Sequence, residues 1–206
     1  MSHKKFIVFE GNEGTGKSTH IKFASDYLTQ KKIEHIVTRE PGGTKFGESV
    51  RSILLDKNSD LDSLSEAMLF YASRVFNYNN VILKALNAGK YVICDRFHYS
   101  TLVYQGMVEN NEKVIQLHKT LDSYFSEHIS LIIHLDASIK NCLSRINSRK
   151  TSDKFELQGE KFLIKIKSSY EKVFSDNEKS VKILTDEDIN SVQSNIKKHL
   201  NMLINE

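Results

Sequence analysis

The chain has 206 residues, 39% of them hydrophobic and 27% charged, enough to bury one substantial core and too few for two, so a single domain over residues 1–206 is expected. A formal charge of +3 and a pI near 8.7 create no dominant field, so no nucleic acid is expected among the partners. Two cysteines, Cys94 in an apolar run and Cys142 in a helical pattern, exclude a disulfide framework and a metal-ligand spacing and fit a reduced, cytoplasmic setting.

Taken in chain order, "MSHKK" leads straight into a strand-like run, with no secretory core and no apolar stretch of about 18 residues anywhere, so neither export nor a membrane span is expected. Phe6 to Phe9 reads as a buried strand and is followed at once by the glycine-rich Gly11 to Ser18. A second strand falls at His35 to Thr38, ahead of "REPGGT", a loop holding the single proline. A long helix begins at Ser63, where "SLSE" offers a capping box through Glu66, and stops near Gly89. Further strands read at Tyr91 to Cys94, Ile129 to Leu135 and Val181 to Leu184. Two helix faces repeat at helical spacing: Ile139, Cys142, Leu143 and Ile146, then Ile189, Val192, Ile196 and Leu200. Strands separated by helices need crossover connections, so they pair in parallel. The expectation is a three-layer α/β fold with a five-stranded parallel sheet flanked by helices, without internal repeats or linkers.

Gly11 to Ser18 matches G-x-x-x-x-G-K-[ST] in full, after a strand and before a helix. Glycines let successive N–H groups curl inward, and the helix start adds its positive dipole end, which makes a phosphate cradle of the P-loop NTPase kind. Lys17 would reach the outer phosphates, and Ser18 would help hold Mg²⁺. Glu13 is a puzzle, because a carboxylate beside bound phosphates is repelled and needs another partner. The chain has no N-K-x-D string for guanine and is short for a motor, which leaves a kinase acting on a small acceptor. "YVICDRF" ends a strand in an acid and a guanidinium; Asp95 stands where a second Mg²⁺-organising group belongs, and Arg96 offers a fork for phosphate.

In combination, "FEGNEGTGKST", "TREPGGT", "AMLFYASR" and "DRFHYSTLVYQG", in order from Phe9 to Gly106, resemble the bacterial type of thymidylate kinase. "LSRINSRKTSDKFE" is similar to that family's lid, placed at about 145–157. The resemblance implies a nucleoside monophosphate kinase fold and transfer of a phosphoryl group from ATP, with Mg²⁺, to dTMP. It implies ATP contacts at Gly11, Asn12, Glu13, Gly14, Thr15, Gly16, Lys17, Ser18 and Thr19, with Arg145, and a homodimer in the cytoplasm.

On the acceptor side it implies that Phe70 stacks on thymine and Arg74 bonds its exocyclic oxygen, four residues apart on one helix face. Ser100, Thr101, Tyr104 and Gln105 line the deoxynucleoside pocket, with Tyr104 near the sugar. Glu40, Pro41 and Arg51 close on the acceptor nucleotide, Glu13 meets its sugar and phosphate, and Arg96 approaches the phosphates between donor and acceptor. Lys17, Asp95, Arg96 and Arg149 carry catalysis, the lid cations Arg145, Arg149, Lys150 and Lys154 arriving on closure. Thr15 is not arginine, which resembles the bacterial arrangement in which the lid supplies the catalytic charge. The family commonly has arginine at the position of Lys154, and lysine cannot make the same bidentate contact, so Arg149 carries that assignment. Two rivals stay open: a deoxynucleoside kinase with Glu40 or Glu13 as base, and a nucleotide-binding module without turnover.

Overall fold

The computed structural model describes residues 5–148, 154–155 and 158–205. Its strands are β1 (Phe6–Gly11), β2 (His35–Arg39), β3 (Tyr91–Asp95), β4 (Ile129–Asp136) and β5 (Ser180–Leu184). All pair in parallel in the order β2-β3-β1-β4-β5. Each expected strand is present, extended by one or two residues to an end such as Gly11, Arg39, Asp95 or Asp136. The apolar runs stop short of those ends because the backbone stays paired where the side chains turn to other work. Since β1 is central and the chain leaves it toward both edges, a crevice opens beyond its C-terminal end, where ligands bind in sheets of this kind.

Alternation along the strands separates two cores. Phe6, Val8, Val92, Cys94 and Ile132 face one side, packed by Tyr71, Tyr78, Phe97, Phe125 and Tyr170. Ile7, Phe9, Ile93, Ile133 and Leu135 face the other, covered by α1 (Lys17–Gln30) and α9 (Ile189–Ile204). This gives the three layers. The remaining helices are α2 (Lys45–Leu54), α3 (Ser63–Asn77), α4 (Leu83–Asn87), α5 (His98–Thr101), α6 (Glu112–Ser126), α7 (Ile139–Asn147) and α8 (Glu160–Phe174).

The long helix starts at Ser63 as expected, but its cap is different. Asp62 is the N-cap, accepting from the Leu64 and Ser65 N–H groups at 2.9 Å. Glu66 is buried instead of reaching back to the cap, because it faces α5 and its continuation. The helix then runs through a π-helical stretch, Tyr78–Ile82, into α4, and Gly89 follows at φ 78. A second π-helical stretch, Leu102–Val108, continues α5. Wide turns of this kind favour functional positions, and here the stretch carries Tyr104 and Gln105.

Phe125 is fully buried among Tyr71, Tyr78 and Phe97, with ring centroids at 6.1, 5.4 and 5.3 Å. Phe125→Ala should lower stability by about 3–5 kcal/mol, read as a shift in the urea midpoint at unchanged slope.

Candidate active site

The phosphate loop lies between β1 and α1, as its motif requires. Gly14 sits at φ 77 against the first turn of α7, and a β-carbon there would lie 2.5 Å from the Cys142 carbonyl oxygen. Thr15 is buried and donates to the Asn12 carbonyl at 2.8 Å, which closes the loop on itself. Lys17 Nζ rests on the carbonyls of Gly11 (3.0 Å) and Asn12 (2.8 Å). Burial pushes its ammonium down to about 8, helped by Arg96 and resisted by Asp95, Glu13 and Glu10. An ammonium so placed gains when it exchanges two neutral carbonyls for phosphate. Ser18 and Thr19 are exposed on the first turn of α1. Asn12 donates to the Leu163 carbonyl at 2.9 Å and anchors the loop to α8.

Arg96 stands at the other wall. Its backbone adopts φ 64, a left-handed conformation costly for a residue with a side chain. Hydrogen bonds over-determine it: its N–H donates to Phe9 O, and the next N–H, of Phe97, donates to Glu10. The guanidinium donates through Nη1 to Gly11 O (2.9 Å), Ser100 Oγ (3.2 Å) and Tyr170 Oη (3.0 Å), and through Nη2 to Glu13 (2.7 Å). Glu13 also accepts from the Tyr104 hydroxyl at 2.6 Å. The carboxylate in the phosphate loop thus has its partner, and the charge that would repel phosphates is neutralised.

Further out, the Arg74 guanidinium is buried. It pairs through Nε with Glu40 and donates through Nη1 to Thr101 Oγ1 at 2.9 Å, while Asn77 donates to Glu40 at 3.1 Å. Burial pushes the Glu40 carboxyl upward, and Arg74 and Asn77 pull it back. Arg51 reaches across to the Pro41 carbonyl at 2.9 Å, bringing α2 onto the loop after β2.

Every one of the eleven residues assigned to the acceptor side lines a single cavity of about 80 Å³, joined by Leu55 and Phe155. A polar cleft of about 220 Å³ lies along the phosphate loop, lined by Gly14, Gly16, Lys17, Ser18 and Asp95. Glu13, Glu40, Arg51 and Arg96 line both. A cradle for one set of phosphates therefore adjoins a pocket with a flat aromatic, Phe70, and a buried guanidinium, Arg74.

Comparison with known proteins gives this arrangement its family. The thymidylate kinase family profile matches residues 9–196. The chain belongs to the thymidylate kinase family. Thymidylate kinase from Rickettsia bellii is 39% identical over 202 residues, covering 96% of each chain. That from Caldicellulosiruptor saccharolyticus is 35% identical over 202 residues, covering 97% of each. The crystal structure of thymidylate kinase from Ehrlichia chaffeensis superimposes with a TM-score of 0.73 at 29% identity, covering 96% of this chain and 98% of that one.

Three of the expected site side chains already hold partners within the chain. Arg145 donates to Gly14 O (3.0 Å), Thr185 O (2.6 Å) and Thr185 Oγ1 (3.2 Å), pinning the phosphate loop to the chain after β5. Lys154 pairs with Glu66. The Ser100 hydroxyl lies among Glu10, Tyr170 and Arg96, because the first turn of α5 faces the end of β1. Arg149 and Lys150 lie outside the described residues.

Glu10, Asn77 and Tyr170 were not anticipated. Glu10 is fully buried, with its carboxyl raised by burial against the pull of Arg96, and accepts from Phe97 N–H, Ser100 and Tyr170 at 2.7–2.9 Å. A lone carboxylate at the end of an apolar strand was the available signal. Tyr170 gave none, since a buried tyrosine on an amphipathic helix reads as core. Gly14→Ala combines a left-handed backbone with a collision against α7; it should weaken nucleotide binding at least tenfold in calorimetry while the far-UV spectrum stays native.

Proposed function

We propose that this enzyme transfers the terminal phosphoryl group of ATP to the 5′-phosphate of dTMP, forming dTDP and ADP, within one domain whose lid spans about residues 145–157. The observation that carries the reading is the shared wall: Glu13, Glu40, Arg51 and Arg96 border both the loop cleft and the acceptor pocket, so donor and acceptor phosphates would meet between them. An acceptor phosphate oxygen is already ionised at neutral pH. It attacks the γ-phosphorus as the bond to the β–γ bridging oxygen breaks, and no general base is required. Positioning and neutralisation of charge then carry the rate.

In this reading Lys17 leaves its two carbonyls for the outer phosphates. Arg96, its guanidinium held by four partners, faces the phosphates between donor and acceptor, and Arg51 takes the acceptor phosphate. Arg149 supplies further positive charge to the transferred group. Ser18 and Asp95 would hold Mg²⁺, which would supply neutralisation of phosphate charge; the fit lies in Asp95, whose Oδ1 is buried without a hydrogen-bond partner among the described residues and which lines the same cleft as Ser18. Phe70 offers its face to the base and Arg74 a donor to its carbonyl. Tyr104, tied to Glu13, sets bulk at the sugar. The deoxynucleoside kinase reading is not favoured, because both of its candidate bases are committed: Glu40 to Arg74 and Asn77, and Glu13 to Arg96 and Tyr104.

We further propose a homodimer in the cytoplasm. Phe46, Ile53, Met68 and Phe76, 43–56% exposed, give α2 and α3 an apolar outer surface, on which the Phe46 and Phe76 rings meet at 5.4 Å. Both cysteines are free and buried, and no helix among the described residues is long and apolar enough to cross a membrane.

Two experiments test these readings. With Mg-ATP and a panel of dTMP, dUMP, UMP, dCMP and thymidine, dTMP should be the best acceptor and thymidine should be inert; Lys17→Ala should lower kcat/KM by about 10³-fold, as for loss of a transition-state donor. Thymidine-dependent ADP release with none from dTMP would overturn the reading. Phe76→Glu should shift the light-scattering mass from two chains to one; a single-chain mass for the unaltered protein refutes the dimer.

A further inference from the structure

Glu66 has no part in the phosphoryl-transfer machinery, yet its side chain on α3 is 8% exposed and holds two partners. Gln105 Nε2 donates to its Oε2 at 3.0 Å, and the Lys154 ammonium pairs with its Oε1. A carboxylate held by an ammonium accepts hydrogen bonds and donates none. The Gln105 amide must therefore present its NH₂ group to Glu66, which turns its carbonyl oxygen the other way. Gln105 is almost fully buried and lines the acceptor cavity beside Arg74 and Thr101, so a carbonyl acceptor is what it has to offer there. Arg74 contributes donors only, with Nε and Nη1 held by Glu40 and Thr101.

A base entering this pocket thus meets a donor from Arg74 beside an acceptor from Gln105. Its complement is a pyrimidine whose exocyclic group accepts and whose ring nitrogen donates, the O4 and N3–H of thymine or uracil. Cytosine presents the reverse, an amino donor beside a bare ring nitrogen. Were the Gln105 amide free to rotate, it would satisfy either base equally. We propose that Glu66 is a specificity-determining positioning residue: by locking the Gln105 amide it selects an imide-bearing pyrimidine monophosphate and rejects an aminopyrimidine one. The inference rests on the acceptor reading above. Lys154 belongs to the same device, since its charge holds Glu66 as an acceptor; this gives a role to the lysine that stands where the family commonly has arginine. Sites that hydrogen-bond their substrate reject a mismatched analogue strongly, because mismatch leaves buried polar groups unpaired.

The test compares dTMP with dCMP, by turnover and by calorimetric binding, in the unaltered protein, in Glu66→Gln, in Gln105→Ala and in the double variant. Gln at position 66 keeps the volume but can donate as well as accept, so Gln105 can turn either way. The dTMP/dCMP ratio of kcat/KM, and of binding constants, should fall at least tenfold in E66Q. KM for dTMP should rise while kcat at saturation changes less than threefold. On the Gln105→Ala background, E66Q should alter the ratio less than twofold, since Glu66 acts through Gln105. A ratio within twofold of the unaltered protein in E66Q, or an equal loss on both backgrounds, overturns the proposal. Should E66Q fail to melt cooperatively, Lys154→Met, at a less buried site, carries the same expectations. An unaltered protein that discriminates in binding yet transfers nothing to dTMP would refute the functional reading and leave the Glu66 comparison standing.

Discussion

The site is organised by one buried guanidinium. Arg96 bridges the end of β1, through Gly11 O and indirectly through Glu10, to the phosphate loop at Glu13, to α5 at Ser100 and to α8 at Tyr170. Three separate stretches of chain, residues 10–13, 96–100 and Tyr170, are thereby brought to one point. Desolvating such a charge is expensive, and it is tolerated only where hydrogen bonds replace those to water. That requirement explains why Glu10, Ser100 and Tyr170 form a closed hydrogen-bonded group in an otherwise apolar layer. It also accounts for the left-handed backbone of Arg96: the strain directs the guanidinium back over β1, and the bonds on either side offset it.

A second buried pair does the same on the acceptor side. Arg74 and Glu40 join α3 to the loop after β2, and Thr101 and Asn77 satisfy what the pair leaves open. The two clusters meet at the wall shared by loop cleft and pocket. Pre-organised charge in a region that excludes water is worth more than the same charge in solvent, and it needs no rearrangement when negative charge builds on a transferred phosphoryl group. Lys17 is the contrasting element. It is lodged on neutral carbonyls and partly desolvated, so a better partner is available to it only when phosphates enter.

Much of this was readable from residue order. All five strands and the phosphate loop follow from short apolar runs and from eight consecutive residues, Gly11 to Ser18, whose chemistry is local. The eleven acceptor-side residues share one cavity because the motifs that carry them sit at the ends of neighbouring strands or on helices packed there. The helix cap was misread because side chains there had a choice of partner. Ser63 and Glu66 fit a capping box by spacing, but Asp62, one residue before Ser63, accepts from the Leu64 and Ser65 N–H groups and becomes the N-cap. Arg145 belongs to a basic stretch by composition, and because α7 docks against the loop its guanidinium meets Gly14 and Thr185.

The sequence by itself determined the parallel α/β architecture, the phosphate cradle and the set of side chains around it, since each depends on periodicity or on neighbours a few residues apart. Only the tertiary structure decided which of those side chains neutralise one another. Glu13 and Arg96 are 83 residues apart, Gly14 and Arg145 131, and Glu66 and Lys154 88. Such pairings depend on how remote elements dock, and a buried charge takes the partner that docking brings within reach, which local spacing does not encode.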